Sequence, residues 1–224
     1  DRPYLQHLLG YNKALTQRNN LLRYFAENRT WDASMLEPWT EKLIPAAIAI
    51  HARRAQFVAD FNPLFEEVYA ALSGQRERAQ VVYRSHVPPT EDAVRAMWAA
   101  AESDDRRLRR TTVGTHKDDL NFELDGHPLR RMGSQGQQKS FLIALRLAQL
   151  TAMETATGVK PILLLDDIFD KIDEKRVAAL MDLVTRKEVG QVFITDTSLG
   201  RIPHLFREAG LPSGATLSQT QARQ

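Results

Sequence analysis

The chain has 224 residues, 43% of them hydrophobic, enough for one large core or two modest ones. Its 30 Lys and Arg are nearly balanced by 28 Asp and Glu, for a formal charge of +2, so contact with nucleic acid is permitted but not demanded. The lack of cysteine excludes disulfides, thiolate metal sites and cysteine nucleophiles, and no apolar run reaches the ~20 residues that cross a bilayer, which predicts a soluble, cytoplasmic protein with no membrane partner.

From Tyr4, large side chains recur at Leu8, Tyr11, Leu15, Leu22 and Phe25, a spacing that predicts a helix whose apolar seam is interrupted by Arg18. After the polar turn Asn28 to Trp31, Asp32 is placed to cap a second helix with a seam of Leu36, Trp39, Leu43, Ala47, Ile50, Phe57, Phe61, Leu64 and Val68, interrupted by Arg54. Pro45 and Pro63 fall inside this pattern and predict kinks or breaks, because each removes a backbone donor. Two long helices joined by a short turn pack antiparallel, so residues 1–75 are expected to form a helical arm projecting from a body made of residues 76–224.

Ser73-Gly74 ends the arm, Ala79 to Val87 reads as a strand before Pro88-Pro89, and Thr90 can cap a helix from Glu91 to Arg110. That helix ends in "DDRRLRR", which gathers Arg106, Arg107, Arg109 and Arg110 where the helix dipole favours cations. The cluster reads either as a solvated helix end or, with Arg53 and Arg54, as a contact for nucleic-acid phosphates. "NFELDGHPL" alternates around Asp125-Gly126 and predicts a hairpin.

"RMGSQGQQKS" is not a Walker A loop, since Gln138 stands where that motif needs glycine. It opens a long helical run in which Ser134 can serve as the cap, and a helix start offers unpaired amide hydrogens to a phosphate as readily as it forms a plain capped end. Downstream, Ile162 to Leu165 predicts a parallel strand buried on both faces, followed by a helix capped by Asp173 and a second strand from Val192 to Thr195. In such a unit Asp166, Asp167 and the residues from Thr195 to Thr197 meet at the carboxyl ends of the strands. Asp166 is suited to hold Mg²⁺ and Asp167 to orient or deprotonate a water, although a strand terminus would carry the same pair. His116, Asp118 and Asp119 read as a loop network or as metal ligands.

Four ordered stretches carry a family resemblance. Gly133 to Gln138 is similar to an ABC signature loop and "ILLLDDIFDKID" to a Walker B strand with its D-loop; "YNKALTQRNNLL" and "TTVGTHKDDLNFELDG" resemble the start of the helical arm and the Gly-x-His-Arg-Asp-Asp-Leu segment of the RecF family. The likeness runs from about Tyr4 to Asp196. It implies an α/β fold, the C-terminal part of an ABC-type (P-loop NTPase) head with parallel strands plus an antiparallel helical arm. It also implies ATP and Mg²⁺ as cofactors, with Asp166 as the Mg²⁺-associated acid, Asp167 as the catalytic acid and Asp173 as the D-loop aspartate. Ser134, Gln135, Gly136 and Gln137 would then contact a nucleotide held by a second protomer. Thr197 or Asp196 stands where ABC enzymes place a switch histidine, and either touches phosphate or water or belongs to a plain loop.

The resemblance further implies a homodimer formed on ATP, binding to DNA at single-strand/double-strand junctions, and RecO and RecR as partners in recombinational repair. Lys117 replaces the usual arginine of the Gly-x-His segment, and "DDIFDKID" lacks the common Ser-Glu-Leu-Asp ending. No residue here supplies a Walker A lysine, and the chain starts without methionine, so it is expected to be part of a longer protein and to hydrolyse ATP weakly or not at all alone. Competing readings are a non-catalytic helical interaction module with a vestigial ATPase half, or another SMC-like head.

Overall fold

The computed structural model describes residues 1–166, 172–186, 190–195 and 207. The chain divides into two compact units, Asp1–Ala59 with Val82–Asn121 and Asp60–Val81 with Phe122–Gln224.

In the first unit, helix α1 (Arg2–Asn28) starts where Asp1 accepts from the Tyr4 amide at 3.0 Å and ends where Arg29 turns left-handed, φ 53°. Asp32 does not cap the second long helix directly; it caps a single 3₁₀ turn, Ala33–Met35, which feeds helix α2 (Glu37–Ser73). Leu22 and Phe25, late in α1, pack on Leu36, while Tyr11 and Ala14, earlier in α1, share a core with Leu43, Ile44, Ala47 and Ile50 of α2. That pairing makes the hairpin antiparallel. Helix α3 (Glu91–Leu108), capped by Thr90, adds Val94 and Trp98 to the same core and closes on Arg109, φ 55°. Burying this stripe of aromatic and aliphatic side chains is the main stabilising term, at about 1.5–3 kcal/mol per large side chain.

One expectation, of kinks or breaks at two prolines, is narrowed here, and another is corrected. Pro45 and Pro63 do not break α2, which runs unbroken from Glu37 to Ser73. An interior proline costs about 3 kcal/mol, and the buried face from Leu43 through Leu72 offsets that by far. Nor do Arg18 and Arg54 interrupt their seams. Arg18 is 4% exposed and belongs to the buried row Tyr11, Ala14, Arg18, Leu22, Phe25. Counting Arg54 in the same way carries the α2 row on to Val58, Phe61, Phe65, Val68 and Leu72, which leaves Phe57 exposed.

Strand β1 (Ala79–Arg84), strand β2 (Asp119–Leu124) and the two-residue strand β3 (His127–Pro128) form one sheet in that order. β2 and β3 are antiparallel with Leu124 opposite His127, and both turn residues are left-handed, Asp125 at φ 50° and Gly126 at φ 78°, the requirement of a type I′ hairpin. The second unit continues with the single turn α4 (Leu129–Met132) and helix α5 (Gln135–Thr157), which ends on left-handed Gly158. Phe141 of α5 is buried against Phe65, Tyr69 and Phe122, with ring centroids 4.6, 5.8 and 5.3 Å away.

Strand β4 (Leu163–Asp166), helix α6 (Glu174–Arg186) and strand β5 (Val192–Thr195) complete the described elements, with β4 and β5 parallel from Leu163 opposite Val192 to Asp166 opposite Thr195. The strand, helix, strand unit is as expected, but β4 is not buried on both faces. Leu163 and Leu165 are buried, whereas Leu164 and its register partner Phe193 are exposed, so in this two-stranded sheet the pleat turns alternate apolar side chains to opposite environments.

Candidate nucleotide site

The turn before α5 is built by a capping box. Ser134 Oγ accepts from the Gln137 amide at 3.2 Å, and Gln137 Oε1 accepts from the Ser134 amide at 2.8 Å. The Gln138 amide donates to the Ser134 carbonyl at 2.9 Å. The amide hydrogens of Gln135 and Gly136 have no partner among the described residues, and Ser134 and Gln135 are exposed. Gly133 makes the close entry possible: a Cβ there would stand 2.7 Å from Leu129 Cδ1 and 2.8 Å from the Leu129 carbonyl oxygen. An anion could therefore approach two amides that have no partner among the described residues, at the positive end of a 23-residue helix.

The parallel register sets Asp166 beside Thr195, whose hydroxyl donates to Asp166 Oδ1. Asp166 is exposed at the carboxyl end of β4. Asp173 caps α6, accepting from the Arg176 amide at 3.0 Å. Arg176 also reaches the start of α5, donating to Ser140 Oγ at 3.0 Å, while Ser140 donates to the Gly136 carbonyl at 2.9 Å. The turn and the Asp173 cap thus share one guanidinium. Asp167, Asp196 and Thr197 lie outside the described residues.

A further polar cluster, in the first unit, is matched among the described residues except at one carboxylate oxygen of Asp118. His116 is fixed by Tyr11 and Thr111: with the Thr111 carbonyl 3.1 Å from Nε2, that nitrogen carries the proton and Nδ1 accepts from Tyr11 Oη at 2.8 Å. Burial holds the His116 pKa below the ordinary histidine value, against the pull of the Thr111 carbonyl. Asp118 Oδ2 accepts from Arg54 at 2.9 Å and Tyr83 at 2.5 Å, and the Tyr83 hydroxyl is pushed up to about 12, first by burial and then by that bond. Asp118 Oδ1 is buried without a partner among the described residues. Asp119 caps its own strand through the Leu120 amide at 2.8 Å. Among the described residues no group of three or more His, Asp and Glu side chains is spaced to hold a metal. Gly114, at φ 122°, is required by this packing, since a Cβ would meet Tyr11 Oη at 2.4 Å.

Comparison with known proteins bears on the family. The chain is 46% identical over 197 residues to the DNA replication and repair protein RecF of Flavobacterium johnsoniae, covering 88% of this chain and 54% of that protein. It is 43% identical over 198 residues to the protein of the same name from Parabacteroides distasonis, covering 88% and 53%. Over most of its length the chain is similar to RecF proteins. Its fold is likewise that of a solved structure described as the recombination mediator protein RecF-ATP in the RecFOR pathway, with a TM-score of 0.75 at 28% identity over 88% of this chain and 54% of that one. The ATPrS form of the same mediator gives 0.73 at 30% identity and the same coverage. No protein-family model matches the chain. It spans about half the length of the curated RecF relatives it matches.

Within this fold the arginine cluster stands at the end of α3. Arg106, Arg107, Arg109 and Arg110 are all exposed; Arg106 lies 4.8 Å over the Trp31 ring and Arg107 pairs with Asp104 at 2.7 Å. Arg54 faces inward, donating to Tyr4, the Thr115 carbonyl and Asp118, and Arg53 pairs with Asp1. Among the described residues no helix is long and apolar enough to cross a membrane.

Sequence reasoning did not single out Glu77, Tyr69 or Arg176. Glu77 sits in the unpatterned stretch "SGQRERAQ", and no local spacing links it to the turn 60 residues away. Arg176 had one legible signal, its place three residues after the capping Asp173.

Proposed function

We propose that the chain forms one half of the nucleotide site of a RecF-type ATPase acting in DNA replication and repair, with the Ser134–Gln137 turn closing over the ATP held by a second protomer. The observation that supports this most is the exposed, glycine-entered turn with two amides that have no partner among the described residues, joined through Arg176 to the Asp173 cap. An anionic γ-phosphate fits these donors, so closure of a homodimer is favoured while the phosphate is present and weakened once it leaves.

The residues present also fit a divalent cation. Thr195 engages Oδ1 of the exposed Asp166 carboxylate, and Oδ2, which has no partner among the described residues, would face a cation or its water shell. Bound Mg²⁺ neutralises charge on the phosphate oxygens. Asp166 would hold it, Asp167 would orient or deprotonate the attacking water, and Thr197 would face the phosphate. Phosphates of DNA at a single-strand/double-strand junction are assigned to Arg106, Arg107, Arg109 and Arg110, and RecO and RecR are the partners that the likeness to RecF suggests. Hydrolysis by this chain alone is expected to be very weak, because no lysine here occupies a Walker A setting.

The test uses the full-length polypeptide carrying this sequence. Asp167→Asn should lower Mg²⁺-dependent ATP turnover about 100-fold or more while ATP binding persists. Ser134→Arg should abolish ATP-dependent dimerisation in sedimentation experiments. Turnover that ignores Asp167→Asn, together with ATP-independent association, would replace this reading with that of a non-catalytic interaction module.

A further inference from the structure

Glu77 joins three elements that are far apart in sequence. Its Oε1 accepts from Gln137 Nε2 at 3.1 Å and from Arg176 Nη2 at 2.9 Å, and its Oε2 accepts from Tyr69 Oη at 2.6 Å. Both oxygens are engaged, and the Glu77 and Arg176 side chains are only 16% and 15% exposed, so these bonds work in a partly dry setting where a charge-assisted contact is strong.

The Gln137 amide has two inequivalent ends. Its oxygen must face the Ser134 amide to complete the capping box, and its nitrogen must then point away. A carboxylate at that second position accepts from the nitrogen and would repel the oxygen, so Glu77 selects the side-chain orientation that the cap needs. Through Arg176 the same carboxylate holds a second side of the turn, because Arg176 donates to Ser140 and Ser140 to the Gly136 carbonyl. Arg176 also lies 3.3 Å from Asp173 Oδ2. Tyr69 donates to Glu77, and burial followed by the Glu77 bond raises its pKa, which keeps the hydroxyl a donor.

We infer that Glu77 is a positioning residue: with Arg176 it sets the Ser134–Gln137 turn and the Asp173 cap at a fixed spacing and anchors both to Tyr69 near the end of α2. Its effect on nucleotide-driven closure rests on the proposed reading of the turn, whereas its grip on the turn is a property of the fold. A loosened turn would still permit ATP to bind elsewhere but would meet it with amides no longer aimed, so closure suffers before binding does.

Amide hydrogen exchange on the full chain tests the grip. Glu77→Gln keeps the shape but removes the charge and one of the two acceptor oxygens that Gln137, Arg176 and Tyr69 use, and should speed exchange at Gln137 and Gln138 about tenfold. Tyr69→Phe keeps the ring contacts with Phe65 and Phe141 and removes only the hydroxyl, and should speed the same amides by about threefold without a change in α5 beyond its first turns. The second variant guards against misfolding of the first, and a merely structural tyrosine would leave the turn unaffected. Unchanged exchange at the turn in both variants, or uniform acceleration along α5 and α6, overturns the inference. In the full-length polypeptide carrying this sequence, Glu77→Gln should raise the ATP concentration for half-maximal dimerisation about tenfold with ATP affinity of the monomer unchanged. A wild-type protein that never dimerises on ATP, combined with faster exchange at the turn, sinks the nucleotide reading and leaves the positioning role standing.

Discussion

The two units treat the same kinds of side chain in opposite ways. In the first, charged groups on α1 and α3 are turned inward: Arg18 and Asp105 are 4% and 0% exposed, and Arg18 Nη1 reaches Asp105 at 2.6 Å and Thr111 Oγ1 at 2.7 Å. Asp105 Oδ1 is also occupied, by the amide and hydroxyl of Thr112. In the second unit the notable polar groups stand at the ends of elements, with Ser134, Asp166 and Asp173 exposed and the Glu77–Arg176 pair only partly covered. An ionic group whose charge is paired and whose oxygens are both engaged inside the fold, as in Asp105, has little capacity left for a ligand. A capped but exposed helix start retains it. Chemistry-bearing residue types are therefore a poor guide until their partners are known.

The sharpest way to break the contrast is to remove one partner of the inward network. Asp105→Ala leaves the Arg18 charge buried without its counter-ion and should cost about 3–5 kcal/mol in denaturant unfolding. A loss below about 1 kcal/mol would mean that water or another carboxylate already serves Arg18, and the description of the first unit as closed would fall.

A smaller effect comes from acid. Because the folded His116 pKa lies below the ordinary value of 6.5, the unfolded chain takes up the proton first. Stability should fall as pH drops through about 6.5 toward the folded pKa, by at most about 1.4 kcal/mol per pH unit, and level off below it. His116→Gln should flatten that slope in a pH series of melting curves; a slope that survives the substitution assigns it to another group.

The smallest effect on stability is expected at the exposed arginines. Arg107→Ala breaks a fully solvated pair with Asp104 and should change unfolding free energy by less than about 0.5 kcal/mol. If the end of α3 meets DNA phosphates, the same variant should lower the slope of log affinity against log salt by about 1. No change in the slope would leave the cluster as a solvated helix end, and the second unit would then hold the functional groups alone.

Local physics is written plainly in this chain. The caps at Thr90, Ser134 and Asp173, the Asp125-Gly126 hairpin, the left-handed stop at Gly158 and the strand, helix, strand unit all depend on residues within a few positions of one another, so short-range spacing suffices to find them. The likeness of Gly133 to Gln138 and of "ILLLDDIFDKID" to ABC-type motifs is a short-range pattern of the same kind, and it raised the family that the comparison with known proteins then supported. Tertiary structure alone decided the rest. Whether Arg18 and Arg54 break a seam or complete it depends on Asp105 and Asp118, 87 and 64 residues away, and whether α2 survives two prolines depends on how much apolar surface its neighbours cover. Glu77 acquires meaning only when folding brings Tyr69, Gln137 and Arg176 around it, since a carboxylate's role is set by the donors that surround it and not by its neighbours along the chain.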